Sequence, residues 1–145
     1  MWFIFAIFAA ILWGVNYALA EKILNNISPI TLLTLEMISG ALLFSGLSFF
    51  TTMKRDIKII TTDPSLLLLT LAEIAVVLLA SYFIVASIHL KNATVAGIIE
   101  LTYPLFTIIF TWILFNKTHV NSSVIIGGLL IFIGVIIINL GSLQK

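Results

Sequence analysis

Three glutamates, Glu36, Glu73 and Glu100, stand inside long apolar runs, and no lysine or arginine lies at comparable depth to neutralise them. A charged side chain near the centre of a bilayer costs roughly 3 kcal/mol even on the lenient insertion scale, so acids held there usually mark the path of an ion or substrate. A carboxyl group in such a path can take up and release a proton or hold the cationic part of a substrate. The alternative for Glu36 or Glu73 alone is a protonated acid bonded to a backbone carbonyl. Three acids without counter-charges point to transport rather than to a passive anchor.

Glu100 has the most informative surroundings. Together with Tyr103, Pro104, Thr107 and Thr111 it recurs at helical spacing, which puts a polar stripe on one face of an otherwise apolar helix. Pro104 has no N–H to return to the carbonyl of Glu100, so a kink is expected there, with a carbonyl open to water or substrate. Threonine and tyrosine hydroxyls also bond to neighbouring helices in ordinary membrane bundles, but a face that carries the acid as well reads as a cavity lining. Trp13, Asn16, Tyr17 and Ala20 form a second mixed face, suited to the apolar or cationic part of a substrate or to plain helix packing. Gly127, Gly134 and Gly141 recur every seven residues, with Gly128 beside the first, and give a smooth stripe for packing or dimerisation. His89 beside Lys91 reads as an interface residue, and Trp2 as an interfacial anchor.

These residues need membrane-spanning helices to hold them. Hydrophobic residues make up 61% of the 145-residue chain and charged ones 9%, against about 25% charged in a soluble domain, so the protein is polytopic in a membrane. Crossing about 30 Å of hydrocarbon takes about 20 helical residues. Five runs satisfy this: residues 2–20, 30–50, 65–88, 93–115 and about 120–140. The breaks between them are polar. Ser28 and Pro29 signal the start of the second helix, Asn121 or Ser122 is a candidate cap for the fifth, and residues 51–64 form the longest break. The expected fold is an all-α bundle of five transmembrane helices in one domain covering residues 1–145. A cleaved signal peptide ending at Ala18, Leu19 and Ala20 is the competing reading of the first run, but residues 1–5 offer no basic group for its charged start.

Other classes fall away. The net charge is +1, without the basic cluster that nucleic acid or strong anionic-lipid binding would need. Cysteine is absent, which removes disulfides and thiolate metal sites. The chain lacks HExxH, GxSxG and a phosphate-cradling glycine loop, so no enzyme, cofactor or metal is expected. Asn-X-Ser/Thr matches at Asn26, Asn92, Asn116 and Asn121 fall on both sides of the membrane and carry little weight as glycan sites.

Basic residues divide almost evenly between the two faces: Lys54, Arg55, Lys58 and Lys117 against Lys22, Lys91 and Lys145. This slightly favours an inside N-terminus and leaves dual topology open, in which copies insert both ways and pair antiparallel. Glu36 and Glu100 lie roughly 10 Å below one face, and Glu73 about 12 Å from the other. In an antiparallel pair the partner's acids would be mirrored to nearly the same levels.

The stretch LKNATVAGIIELTYPLF at residues 90–106, WILFNK at 112–117 and IGGLLIFIGV at 126–135 resemble the end of an EamA repeat of the drug/metabolite transporter superfamily. WGVN at 13–16 and Ser28-Pro29 are similar to the repeat's opening and to its entry into the second helix. Two positions depart from the pattern. Asn116-Lys117 stands where the family's turn commonly carries Gly-Glu, and Glu36 stands where an arginine is common.

Most relatives hold two such repeats in inverted orientation, ten helices in all. One five-helix repeat therefore implies a half-size transporter that dimerises, as an antiparallel homodimer or as a heterodimer with a paralogue. The resemblance implies a multi-pass protein of the bacterial cytoplasmic (inner) membrane that moves a small metabolite or amphipathic cation by alternating access. Glu100, Glu36 and Glu73 would bind protons or substrate, and Tyr103, Thr107, Trp13, Asn16 and Tyr17 would line the cavity. The runner-up is a non-transporting membrane subunit that packs into a larger complex through its glycine stripe.

Overall fold

Hydrocarbon leaves a peptide group no bonding partner but the chain itself, so each long apolar run closes its hydrogen bonds as a helix. The computed structural model describes residues 1–117 and 121–142. In chain order the helices are α1 (Trp2–Leu24), α2 (Pro29–Phe49), α3 (Met53–Thr62), α4 (Pro64–Leu90), α5 (Ala93–Glu100), α6 (Tyr103–Phe115) and α7 (Ser122–Ser142). No strand occurs among the described residues. Four stretches are long and apolar enough to cross a membrane: α1, α2, α4, and α5 with α6 taken together over Ala93–Phe115. The apolar part of α7, Ser122–Ile138, is shorter. The protein is thus an all-α membrane protein. Val120, the expected start of the last span, His119 and Lys145 lie outside the described residues.

Polar side chains sit where helices begin and end, because the terminal N–H and C=O groups have no partner within the helix. Ser28 Oγ accepts from Thr31 N at 3.3 Å and Pro29 opens α2. Asp63 Oδ1 accepts from Ser65 N at 2.9 Å and Leu66 N at 3.1 Å ahead of α4. Asn92 and Asn121 do the same for Val95 N at 2.8 Å and Val124 N at 3.0 Å, ahead of α5 and α7. At the end of α6, Asn116 takes the left-handed conformation (φ 51°, ψ 31°) and its N–H returns to Trp112 O at 2.9 Å. Glycine is the usual occupant of such a C-terminal position and asparagine the next best, which accounts physically for asparagine where the related repeats carry glycine.

The chain divides into two units, Leu19–Leu90 and Met1–Ala18 with Lys91–Lys145. In the Leu19–Leu90 unit, α2 packs on α4 and α3 touches both. Its buried side chains are Ala20, Leu24, Leu32, Val85 and Ile88. His89 Nδ1 donates to the carbonyl of Leu24, the last residue of α1, at 3.1 Å. In the other unit, α5 meets α7 and presents the buried Ala93 and Ala96. A Cβ on Gly128 would come 2.6 Å from Leu105 Cδ2, so the glycine leaves room for the tip of that leucine where α6 faces α7. A Cβ on Gly127, Gly134 or Gly141 would meet nothing within 4 Å, and the seven-residue stripe is open.

Two features differ from the sequence pattern. The break at residues 51–64 contains a helix, α3, with Met53, Ile57 and Ile60 on one side and Lys54, Arg55 and Lys58 on the other. The fourth span, Ala93–Phe115, keeps right-handed torsions throughout its middle but loses its regular bonding there. It is interrupted at Leu101 and Thr102, where Thr102 N turns to Ile99 O (3.1 Å) and Leu105 N to Thr102 O (3.0 Å).

The left-handed Asn116 gives a direct test. Asn116→Gly is expected to keep the protein's thermal unfolding midpoint in detergent or raise it, whereas Asn116→Val should lower it, at a cost of roughly 1–2 kcal/mol for a branched side chain in that conformation.

Candidate functional site

Trp13, Asn16 and Tyr17 share one face of α1, three and four residues apart. The Trp13 and Tyr17 rings meet edge to face, with centroids 5.7 Å apart and planes at 62°. Tyr17 then lies against α5 at a point without a side chain: a Cβ on Gly97 would be 3.1 Å from Tyr17 Cδ2 and 3.3 Å from Cε2. Gly97 is therefore the seat of the ring. One turn further along α5 stands Glu100, and the Tyr17 hydroxyl donates to its Oε2. Both residues are half-buried.

Glu100 is also the last residue of α5. Pro104 has no N–H to offer its carbonyl, and the interruption at Leu101 and Thr102 follows directly. The carboxylate thus sits at a point where regular helix stops, where backbone bonding can rearrange with little loss. Tyr17 holds one carboxylate oxygen and leaves the second oxygen's lone pairs available. A proton or a cation arriving at Glu100 would compete with the phenol for the same group.

The stripe expected along one helix face runs across this interruption, whose two residues keep right-handed helical torsions. Glu100 belongs to α5, while Tyr103, Thr107 and Thr111 belong to α6. Tyr103 is 61% exposed at the start of α6, and the Thr107 hydroxyl donates back to Tyr103 O at 3.1 Å, spending itself on its own helix. Asn16 is half-buried beside Tyr17. In the Leu19–Leu90 unit, Glu36 is half-buried on α2 and Glu73 exposed on α4, and neither bonds to another described residue. A groove of about 380 Å³ lies between α2 and α4, lined by Leu33, Thr34, Met37, Leu78, Ser81 and Tyr82 among others. Its chemistry is that of hydrocarbon with a few hydroxyls, and it contains none of the three acids. The structure thus brings Trp13, Tyr17 and Glu100 together, within one unit, and places Glu36 and Glu73 in the other.

Gly97 is the site residue that the sequence motifs do not single out. Its signal is local: Ala93, Ala96 and Gly97 put small residues at i, i+3 and i+4, one turn before an intramembrane acid, which makes a smooth face for another side chain to lie on.

The model of the family described as the EamA-like transporter family matches residues 1–140. No curated protein and no solved structure matches the chain.

The pairing of the phenol with the acid is measurable by a double-mutant cycle. Tyr17→Phe and Glu100→Ala should each destabilise the protein in detergent, and their combination should cost less than the sum by about 1 kcal/mol, within the range found for polar contacts between membrane helices. Additive losses in thermal or denaturant unfolding would mean that the two groups do not act together.

Proposed function

The chain belongs to the EamA-like transporter family, whose members are membrane transporters and not enzymes, and from that premise we propose that it moves a small metabolite or amphipathic cation in a proton-linked process, as an antiparallel homodimer. The observation that carries this reading is the Tyr17–Glu100 hydrogen bond, seated on Gly97 beside the interruption in the fourth span. A carboxyl group at a helix break can exchange its phenol partner for a proton or a substrate cation without disturbing a long run of backbone bonds. Trp13, stacked edge-on against Tyr17, offers an aromatic face for the apolar or cationic part of the cargo. Asn16, Tyr103 and Thr107 complete the lining in this proposal.

The antiparallel arrangement rests on parity and on open surfaces. An odd number of spans turns a second repeat upside down relative to the first, which is how inverted-repeat transporters build their central site. Gly127, Gly134 and Gly141 offer a stripe that nothing within the described chain covers, and Glu73 stands exposed on α4. A second, inverted copy would bring Glu36 and Glu73 from opposite faces towards one passage. Alternating access then follows from the two copies exchanging conformations across the membrane.

Transport by the reconstituted protein tests the reading. In liposomes with an imposed pH gradient, a fluorescent quaternary-ammonium probe or a metabolite mixture should accumulate. Glu100→Gln should reduce the proton-driven flux by more than tenfold, a change of about 1.4 kcal/mol or more in the barrier. Tyr17→Phe should alter the rate while leaving transport measurable. Undiminished flux through Glu100→Gln removes Glu100 from the mechanism.

A further inference from the structure

The helix that interrupts the longest polar break has chemistry that the transport site does not use. α3 is 10 residues long, about 15 Å, and cannot cross a membrane. It follows α2 and precedes α4, both of which are long and apolar enough to span, so it lies at the membrane face where one leaves and the other enters. Met53, Ile57 and Ile60 recur at i, i+4 and i+7 on one side. Lys54, Arg55 and Lys58 occupy the other, all three exposed, with Asp56 as the only acid of the helix and no ion pair formed with any described residue. Ile57 remains 53% exposed, and Phe49 and Phe50, at the end of α2, 64% and 86%. Cations and apolar side chains are thus presented side by side at one membrane level.

We propose that α3 lies in the plane of the membrane surface and docks anionic phospholipid headgroups on Lys54, Arg55 and Lys58. The seven basic residues of the whole chain look dispersed when only its composition is considered, but three of them fall within this one helix. Charge complementarity names the headgroup phosphate: an amphipathic helix with a basic polar face binds anionic lipid by burying its apolar side at the acyl boundary. The Arg55 guanidinium can take a phosphate through two parallel hydrogen bonds, and the lysines act as point charges beside it. A dissolved phosphate ion would satisfy the cations but not Ile57 and Phe50. A phospholipid satisfies both, with its head on the cations and its chains on the apolar side chains.

The 145-residue chain contains no cysteine, so Thr61→Cys on α3 can carry a donor fluorophore. The labelled protein is reconstituted in phosphatidylcholine vesicles with a minor fraction of phosphatidylglycerol. Energy transfer to a headgroup-labelled phosphatidylglycerol is then compared with transfer to a headgroup-labelled phosphatidylcholine. The anionic lipid should be preferred near α3, and the preference should fall about fivefold for each of Lys54→Gln, Arg55→Gln and Lys58→Gln. Lys22→Gln with Lys91→Gln, which leaves α3 intact, should preserve it. High ionic strength should weaken the preference in the otherwise unaltered chain, independently of whether any variant folds. Inorganic phosphate added at fixed ionic strength should leave it unchanged. Equal transfer to both lipids in the parent, a preference untouched by the three α3 substitutions, or displacement by inorganic phosphate would overturn the proposal.

Discussion

Hydrocarbon offers a carboxyl group no hydrogen-bond donor, so Glu100 has to find one within the protein, and the Tyr17 hydroxyl is the donor beside it. Much of the local structure follows from that contact. The phenol reaches the acid because its ring lies against α5, and it can come that close because position 97 carries no side chain. Glu100 itself ends α5, where Pro104 withdraws a backbone donor and the chain turns through Leu101 and Thr102 before α6 begins. A glycine, a tyrosine, an acid and a proline thus form a single device: the first two supply a partner for the third, and the last loosens the backbone around it.

The same scarcity of partners decides which other contacts matter. Lipid tails are as apolar as leucine, so burying Leu24 or Ile88 between helices gains close packing but little hydrophobic free energy. Close approach by small residues and satisfied polar groups carry more of the weight. Ala20, Ala93, Ala96 and Gly128 sit where helices press together, and Gly128 admits Leu105 at a distance no Cβ would tolerate. Ser28, Asp63, Asn92 and Asn121 each bind the first N–H groups of a helix, while His89 reaches the last carbonyl of α1. Each of these polar side chains stands at a helix end, and Glu100 resembles them in closing α5 next to the proline.

The spans were readable in the chain because about 20 apolar residues between polar breaks leave few alternatives to a membrane helix. Several starts were readable as well, since Ser28-Pro29 and Asn121 have side chains that compete for exposed N–H groups. Hydropathy does not reveal α3, for a physical reason. Lys54, Arg55, Asp56 and Lys58 lower the hydropathy of the segment, and the spacing of Met53, Ile57 and Ile60 that makes it amphipathic shows only against a period of 3.6. The polar stripe from Glu100 to Thr111 was legible as residues but not as two helices, because a proline's effect on the preceding turn depends on what else can satisfy the freed groups. Gly97 as the seat of Tyr17 involves two positions eighty residues apart in sequence. Local periodicity carries no information about which helix will lie beside which.

The placement of the acids bears on how the protein can be assembled. An ionised carboxylate at mid-membrane depth costs roughly 3 kcal/mol, so Glu36, Glu73 and Glu100 together would cost roughly 9 kcal/mol, as much as the whole net stability of a typical domain. The three cannot all be charged and face lipid. Glu100 escapes by pairing with Tyr17 inside one unit of the chain. Glu73 stands exposed about 14 Å along α4 from Pro64, and Glu36 about 10 Å along α2 from Pro29, neither bonded to a described residue. Relief for them comes from a proton, from water, or from a second polypeptide. In the proposed antiparallel pair one arrangement provides all three, since an aqueous passage between inverted copies hydrates the acids, lets protons reach them and covers the apolar surface around them.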